Sequence, residues 1–523
     1  MMADVSYCRL FRRHAAGGAR RGMALILVLI IVAMVSLAGF SFVATMYNEE
    51  KATRLRGDEI QANQLARSAV VMIRTVVTQP ADALQNAGGI YDNPDWFRGV
   101  LVYEDKANQQ RGRFSVIAPR FSKGEPAGFR FGLENESAKL HLGALLAWDK
   151  QTPGTASESL AQLPGMTDSI ADAVLDWIDT DGAARTFGAE SDFYQTLDHP
   201  YAPRNATVEC LEELLLIRGV SRQRLFGWDT NRNYYLDPDE AARAERADET
   251  ASFESIESSV PWTSLLTVYS AERNVDPEGQ PRIHLNDKDL SELHQRLRKA
   301  FGSPLADFVI AYRQHGPYQG QLEANTPPET VLDLSLRSRA TFASPLDLVN
   351  ARVRIRGGST RPVPVLASPL NDRNPGFDDK ILELLDYVTV DPEPVVRGRI
   401  NVNLALPQVL SAVPNMDPAA VRQIQVERES QSGRPDPRRR HPVWLLLEGV
   451  VDLPRMKALM PYLTCGGGVY RAQVVGYFDG PGPTSRAEVV IDTTQQTARQ
   501  LYWKDLRILG RGYSRETLGG DSD

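Results

Sequence analysis

An uncharged apolar run from Met23 to Met46 constrains this chain more than any other feature. Arg20-Arg21-Gly22 precedes it and Tyr47-Asn48-Glu49-Glu50-Lys51 follows. About 20 apolar residues cross a bilayer as a helix. Residues 1–22 carry Arg9, Arg12, Arg13, Arg20 and Arg21 against Asp4 alone. The positive-inside tendency therefore keeps them in the cytoplasm and sends the rest across. Beyond Glu49 charge returns, but Ile60, Leu65, Ala69, Met72, Ile73 and Val76 still recur at helical steps. Pro80 closes the segment. One helix of about 55 residues would be about 80 Å long, with its first half in lipid and its second packed on a globular head.

A cleaved signal peptide, a plain anchor and a retained stem all begin this way. Phe42-Val43-Ala44-Thr45-Met46 is a poor signal-peptidase site, while Leu37-Ala38-Gly39 keeps that alternative open. The basic-Gly junction resembles the type III signal of type IV pilins and type II secretion pseudopilins. There, cleavage after the Gly leaves the apolar helix on the mature protein. The resemblance implies a prepilin peptidase cut between Gly22 and Met23. Most pilins carry Glu at the fifth mature position, and this chain has Leu27. Lacking that Glu is typical of minor pseudopilin K of type II secretion (general secretion pathway protein K).

With 523 residues the chain exceeds one pilin domain, so two or more packed units are expected. The net charge of −7 gives no whole-protein attraction to nucleic acid. Of three cysteines, Cys8 lies in the leader. Cys210 and Cys465 could pair in an oxidising compartment or be two separate buried thiols, and spacing does not decide. No Cys/His cluster has zinc spacing, and no nucleophile or phosphate loop suggests an enzyme.

The fold class expected is α+β. Strand-like segments cover 112–118, 128–133 and 139–142, and again 469–478, 487–492 and 501–509. Some three hundred mostly helical residues lie between. This reads as one pilin-like antiparallel sheet domain interrupted by a large helical insertion. The expected divisions are a leader (1–22), a transmembrane and stem helix (23–79), a first sheet part (80–142), a first helical unit (143–225), an enlarged insertion (226–395), a last helical unit (396–462) and a second sheet part (463–523).

The insertion holds a degenerate repeat. Lys139-Leu140-His141-Leu142, Arg282-Ile283-His284-Leu285 and Arg399-Ile400-Asn401-Val402 each precede helical segments. Leu163-Pro164-Gly165-Met166 and Val413-Pro414-Asn415-Met416 turn into helices, and units close near Arg218-Gly219-Val220 and Gly449-Val450. Such turns resemble helix-hairpin-helix and SAM-like domains. Some of those modules bind DNA phosphates at a helix N-terminus. The first hairpin has acidic surroundings, and the basic run Arg434, Arg438-Arg439-Arg440 reads as a solvated loop.

Asp176-Trp177-Ile178-Asp179, then Gly188-Ala189-Glu190-Ser191-Asp192-Phe193-Tyr194, Pro200-Tyr201, Asn205-Ala206 and Glu212-Glu213-Leu214 up to Arg218-Gly219-Val220, follow the order seen in pseudopilin K proteins. The resemblance covers about 17–220 and 395–510. It implies a structural protein, not an enzyme. Its place is the tip of a periplasmic pseudopilus, anchored once in the inner membrane, with pseudopilins I and J, other pseudopilins and secreted cargo as partners and no nucleic acid. A minor type IV pilin of an adhesion or motility fibre and a DNA-binding uptake factor are the rival readings.

Residues 229–240 have EF-hand loop spacing, which suits a calcium ion. Oxygen ligands fall at Asp229, Asn231, Asn233, Tyr235 (carbonyl), Asp237 and Glu240, with Tyr234 where Gly usually turns. A second metal cluster is read at Asp176, Asp179, Asp181, Glu190 and Asp192. Carboxylates this dense need a cation or an Arg to neutralise them. The resemblance favours calcium there, since pseudopilin K is known for calcium in its helical domain.

Overall fold

A computed structural model of the protein describes residues 19–105, 110–250, 260–320, 333–355, 365–430, 436–480 and 482–520. The leader up to residue 18, with Cys8, and Arg434 lie outside these. The first helix, α1, runs unbroken from Ala19 to Val76 over 58 residues, about 87 Å at 1.5 Å per residue. Its apolar half is exposed from Met23 onward. Among the described residues it is the one helix long and apolar enough to cross a membrane. In its second half Ala62, Leu65, Ala66, Ala69, Val70, Ile73 and Val76 are buried, one stripe at three- and four-residue spacing.

That stripe lies on an antiparallel sheet. Its strands are β1 (Val100–Asp105), β2 (Gln110–Ser122), β3 (Glu125–Phe131), β4 (Glu134–Asn135), β5 (Val469–Phe478), β6 (Ser485–Asp492) and β7 (Arg499–Asp505). The path is β1-β2-β5-β6-β7, with β3 on β2 and β4 on β5. The central pairing sets Val474 opposite Val116, so strands some 350 residues apart form one sheet. β1 has no counterpart in the sequence reading. It is an edge strand with Leu101, Val102 and Tyr103 exposed, so it lacks the alternation that marks a half-buried strand.

Gly476 explains how closely the stem approaches. A Cβ there would lie 2.2 Å from the Ala62 carbonyl oxygen and 2.5 Å from the Ala66 nitrogen, so only a residue without a side chain lets the helix sit down. Gly476→Val is expected to destabilise the head by about 1–3 kcal/mol through overpacking, measured as a lower urea midpoint of the detergent-solubilised chain. An unchanged midpoint would mean that the stem does not rest on the sheet at this strand.

Residues 139–142 do not continue the sheet. Leu140–His141 pairs in parallel with Leu266–Thr267, Ile283–His284 with Val388–Thr389, and Ile400–Asn401 with Leu463–Thr464. Each repeat is thus a loop of helices closed by a two-residue parallel clasp. At each clasp the closing Thr hydroxyl accepts the N–H two residues later, from Tyr269, Asp391 and Gly466, at 3.0 Å. The first unit therefore runs to Thr267 and contains the EF-hand-like loop, instead of ending near residue 225. Its segment Leu211–Leu216 is a 3-10 turn, and Trp444–Leu447 is a single helical turn. The middle unit is a true hairpin, Leu290–Phe301 and Ser303–His315 joined at Gly302, whose φ is 82°. One continuous apolar core spans all three units.

Candidate metal sites and the charge seam

The loop at 229–240 wraps on itself. Asp229 accepts the N–H groups of Asn233 at 3.0 Å and Tyr234 at 2.7 Å. Glu240 is 3% exposed and accepts from the Thr230 N–H at 2.9 Å, the Thr230 hydroxyl at 2.5 Å and the Asp237 N–H at 3.1 Å. The Asn231 amide donates to Asp237 at 2.5 Å, while its Oδ1 is buried without a partner. A helix, α2 (Pro238–Thr250), leaves the loop. The entering side is only the short turn Arg222–Phe226 ending at Gly227.

Tyr234 occupies the glycine position with φ 66°, the left-handed conformation that glycine normally supplies there. Its ring packs with Ile117, Val475, Tyr477 and Tyr513 of the sheet domain. Asn233 and Tyr235 both donate to the Gly512 carbonyl, at 3.1 and 3.2 Å. Anchorage to the sheet therefore offsets the backbone strain at this position. Burial, with Glu240 adding repulsion, pushes the Asp229 carboxyl up to about 6.

In the acidic cluster, Arg185 is the neutralising group. It reaches Asp176 at 2.9 Å and Asp179 at 2.5 Å, and its N–H also meets Asp176. Gly188 is required beside them, since a Cβ would fall 1.8 Å from an Asp176 oxygen. Glu190 is left over. It is 6% exposed, and neither carboxylate oxygen has a partner, nor does Asp179 Oδ1. Burial, then Asp176 and Asp179, push the Glu190 carboxyl up. Asp181 bonds the Ala183 N–H at 2.9 Å and Asp192 is exposed. Asp176 and Asp179 are thus joined through Arg185, with Glu190 close enough to be repelled by both, Asp181 at the edge and Asp192 outside.

Among the described residues no three His, Cys, Asp or Glu side chains converge as a preformed metal centre. The orphaned oxygens of Glu190, Asp179 and Asn231 are nevertheless what a hard cation would satisfy.

Sequence reasoning missed a charge seam between the sheet and the first unit. Buried Glu136 meets Arg471 at 2.8 Å and Lys139 at 3.2 Å, and it accepts the Thr267 hydroxyl of the first clasp. Arg471 also pairs with Glu488. Arg232, inside the EF-hand-like loop, reaches Glu212 at 3.2 Å, and Lys504 reaches Glu212 at 2.5 Å. A cleft of about 830 Å³ opens over this seam. The partners are up to 335 residues apart, so no local pattern announces them.

The two remaining cysteines are free. Cys465 follows the third closing Thr, where the other repeats have Val268 and Val390. It fills an apolar slot, and burial pushes its thiol up. Two arginines of the basic run are spent internally. Arg439 binds Glu448 at 2.5 Å and lies over the Trp444 ring, and Arg440 binds Asp386 at 2.9 Å.

Residues 139–225, which hold the acidic cluster, match the family model for protein K of the type II secretion system. A type II secretion system protein K from Pectobacterium carotovorum subsp. carotovorum is 26% identical over 204 residues, 38% of this chain. Over these segments the chain is similar to type II secretion protein K. It spans 58% of the length of that curated relative. The crystal structure of the GspK-GspI-GspJ complex from the enterotoxigenic Escherichia coli type 2 secretion system aligns with a TM-score of 0.37 at 10% identity, over 87% of this chain and 98% of that one.

Proposed function

We propose that this chain belongs to the type II secretion protein K family and is a minor pseudopilin at the tip of the pseudopilus, a structural part of protein export and not an enzyme. The family match at 139–225, on a chain whose long stem has Leu27 in place of the pilin Glu, carries the reading. A subunit that receives no neighbour above needs no carboxylate for that neighbour's amino terminus, and an unpaired charge in lipid is expensive. The stem sits in the inner membrane and the head in the periplasm, with pseudopilins I and J as partners. Co-purification of the three proteins, followed by size-exclusion chromatography with light scattering, is expected to yield one defined complex. Fibres built by this chain alone would reject the tip position.

Prepilin peptidase cuts between Gly22 and Met23 in this reading. The mature protein is expected to begin at Met23 by mass spectrometry. A start at Met1, or between residues 39 and 47, would reject the pilin-type processing.

Two calcium sites belong to the same proposal. Asp229, Asn231, Asn233, the Tyr235 carbonyl, Asp237 and Glu240 would hold one ion. Asp176, Asp179 and Glu190 would hold a second, with Asp181 at its edge. The orphaned buried oxygens support both. The ion's part is to neutralise charge and fix the loops against the sheet.

A further inference from the structure

A cleft of about 290 Å³ lies where the middle and third repeats meet the sheet domain. Its lining includes Arg273, Arg282, Arg399 and Arg440, with Glu272 as the acidic member. Glu272 is already engaged by Arg399 at 3.3 Å and by the Thr464 hydroxyl at 2.5 Å. Just outside, Asp386 is engaged by Arg440 at 2.9 Å and His441 at 2.6 Å. Arg282 donates through Nε to the Asp386 carbonyl at 3.1 Å and feels Glu272, Asp386 and Asp276 at longer range, and among the described residues neither it nor Arg273 makes a direct ion pair. The buried Arg399 Nε has no acceptor. Gly466, Gly467 and Gly468 form a wall where backbone comes close because no side chain intervenes. Leu385, Val388 and Met460 add apolar groups to the lining.

We propose that this cleft binds a carboxylate-bearing peptide segment, an acidic stretch of a partner protein. Two guanidinium groups outside any direct ion pair attract an anion, and their planar forks match carboxylate geometry. The apolar lining groups favour an organic chain over a bare inorganic ion. The site stands apart from the metal loops and does not depend on calcium.

The test uses the full chain in detergent micelles and a dye-labelled, end-capped peptide alternating glutamate with leucine, followed by fluorescence anisotropy. Binding is expected to weaken at least about ten-fold for the glutamine counterpart of the peptide, as loss of a charge-assisted bond predicts. Arg273→Gln and Arg282→Gln should each cost about ten-fold. Arg273 is exposed, so its variant keeps the fold and separates binding from stability. Equal affinity for the two peptides, no binding at millimolar concentration, or full affinity in the Arg273→Gln variant would overturn the proposal. Displacement by inorganic phosphate at the peptide's own concentration would also overturn it, by showing a small-anion site.

Discussion

Replacing Arg471 by methionine is expected to destabilise the head by about 3–5 kcal/mol, the usual cost of breaking a buried ion pair on one side. Arg471 is buried between Glu136 and Glu488, and Glu136 is fully enclosed. Without the guanidinium, Glu136 would keep only Lys139 and the Thr267 hydroxyl. The double variant Arg471→Met with Glu136→Gln should recover part of the loss, because it removes the uncompensated charge. Urea unfolding at pH 7.5 measures both, and equal midpoints for the single variant and the parent would refute a structural seam. Arg471 and Lys139 hold the Glu136 carboxyl well below the ordinary range against burial. The sign follows from a depressed acid. Its contribution is complete above the unfolded value near 4.3 and is lost only as pH falls further.

Calcium is expected to stabilise the detergent-solubilised chain by about 2.7 kcal/mol per site at a hundred times its dissociation constant, since a ligand of the folded state acts by mass action. Glu190→Gln and Glu240→Gln should each remove one part of the gain, and together all of it. Calorimetric titration with thermal unfolding reads both, and an absence of heat with no shift would dismiss the metal proposal. The apo protein carries a second signature. The Asp229 carboxyl sits at about 6, above its unfolded value near 3.9. The folded state then holds that proton more tightly than the unfolded chain. Its contribution therefore falls as pH rises from about 4 to about 6. In a chelator at pH 7.5, Asp229→Asn should thus raise the melting temperature of the apo protein while abolishing the calcium gain of that loop.

Local period and composition determined much of this molecule. The uncharged run and the stripe from Ile60 to Val76 specified a single long helix, because a 3.6-residue repeat needs no distant partner to be read. β-rich composition at 469–478 marked the central strand, and two β blocks around a helical middle specified α+β with a split sheet. The signature from Asp176 to Val220 lies inside the segment that matches protein K.

Tertiary structure alone decided which distant groups meet. The edge strand Val100–Asp105 exists by pairing with β2 and carries no period of its own. The clasps are two residues long, too short for any pattern, so the first unit's end at Thr267 was not legible. The closing Leu-Thr, Val-Thr and Leu-Thr pairs were a faint signal that could have located them. The acidic cluster showed only that carboxylates are dense, and the fold chose Arg185 for Asp176 and Asp179 while leaving Glu190 alone. Tyr234 looked like a defect in an EF-hand loop until the sheet supplied a place for its ring. In each case the energy comes from contacts between segments far apart in the chain. Periodicity reports how a segment is buried, and it does not say against what.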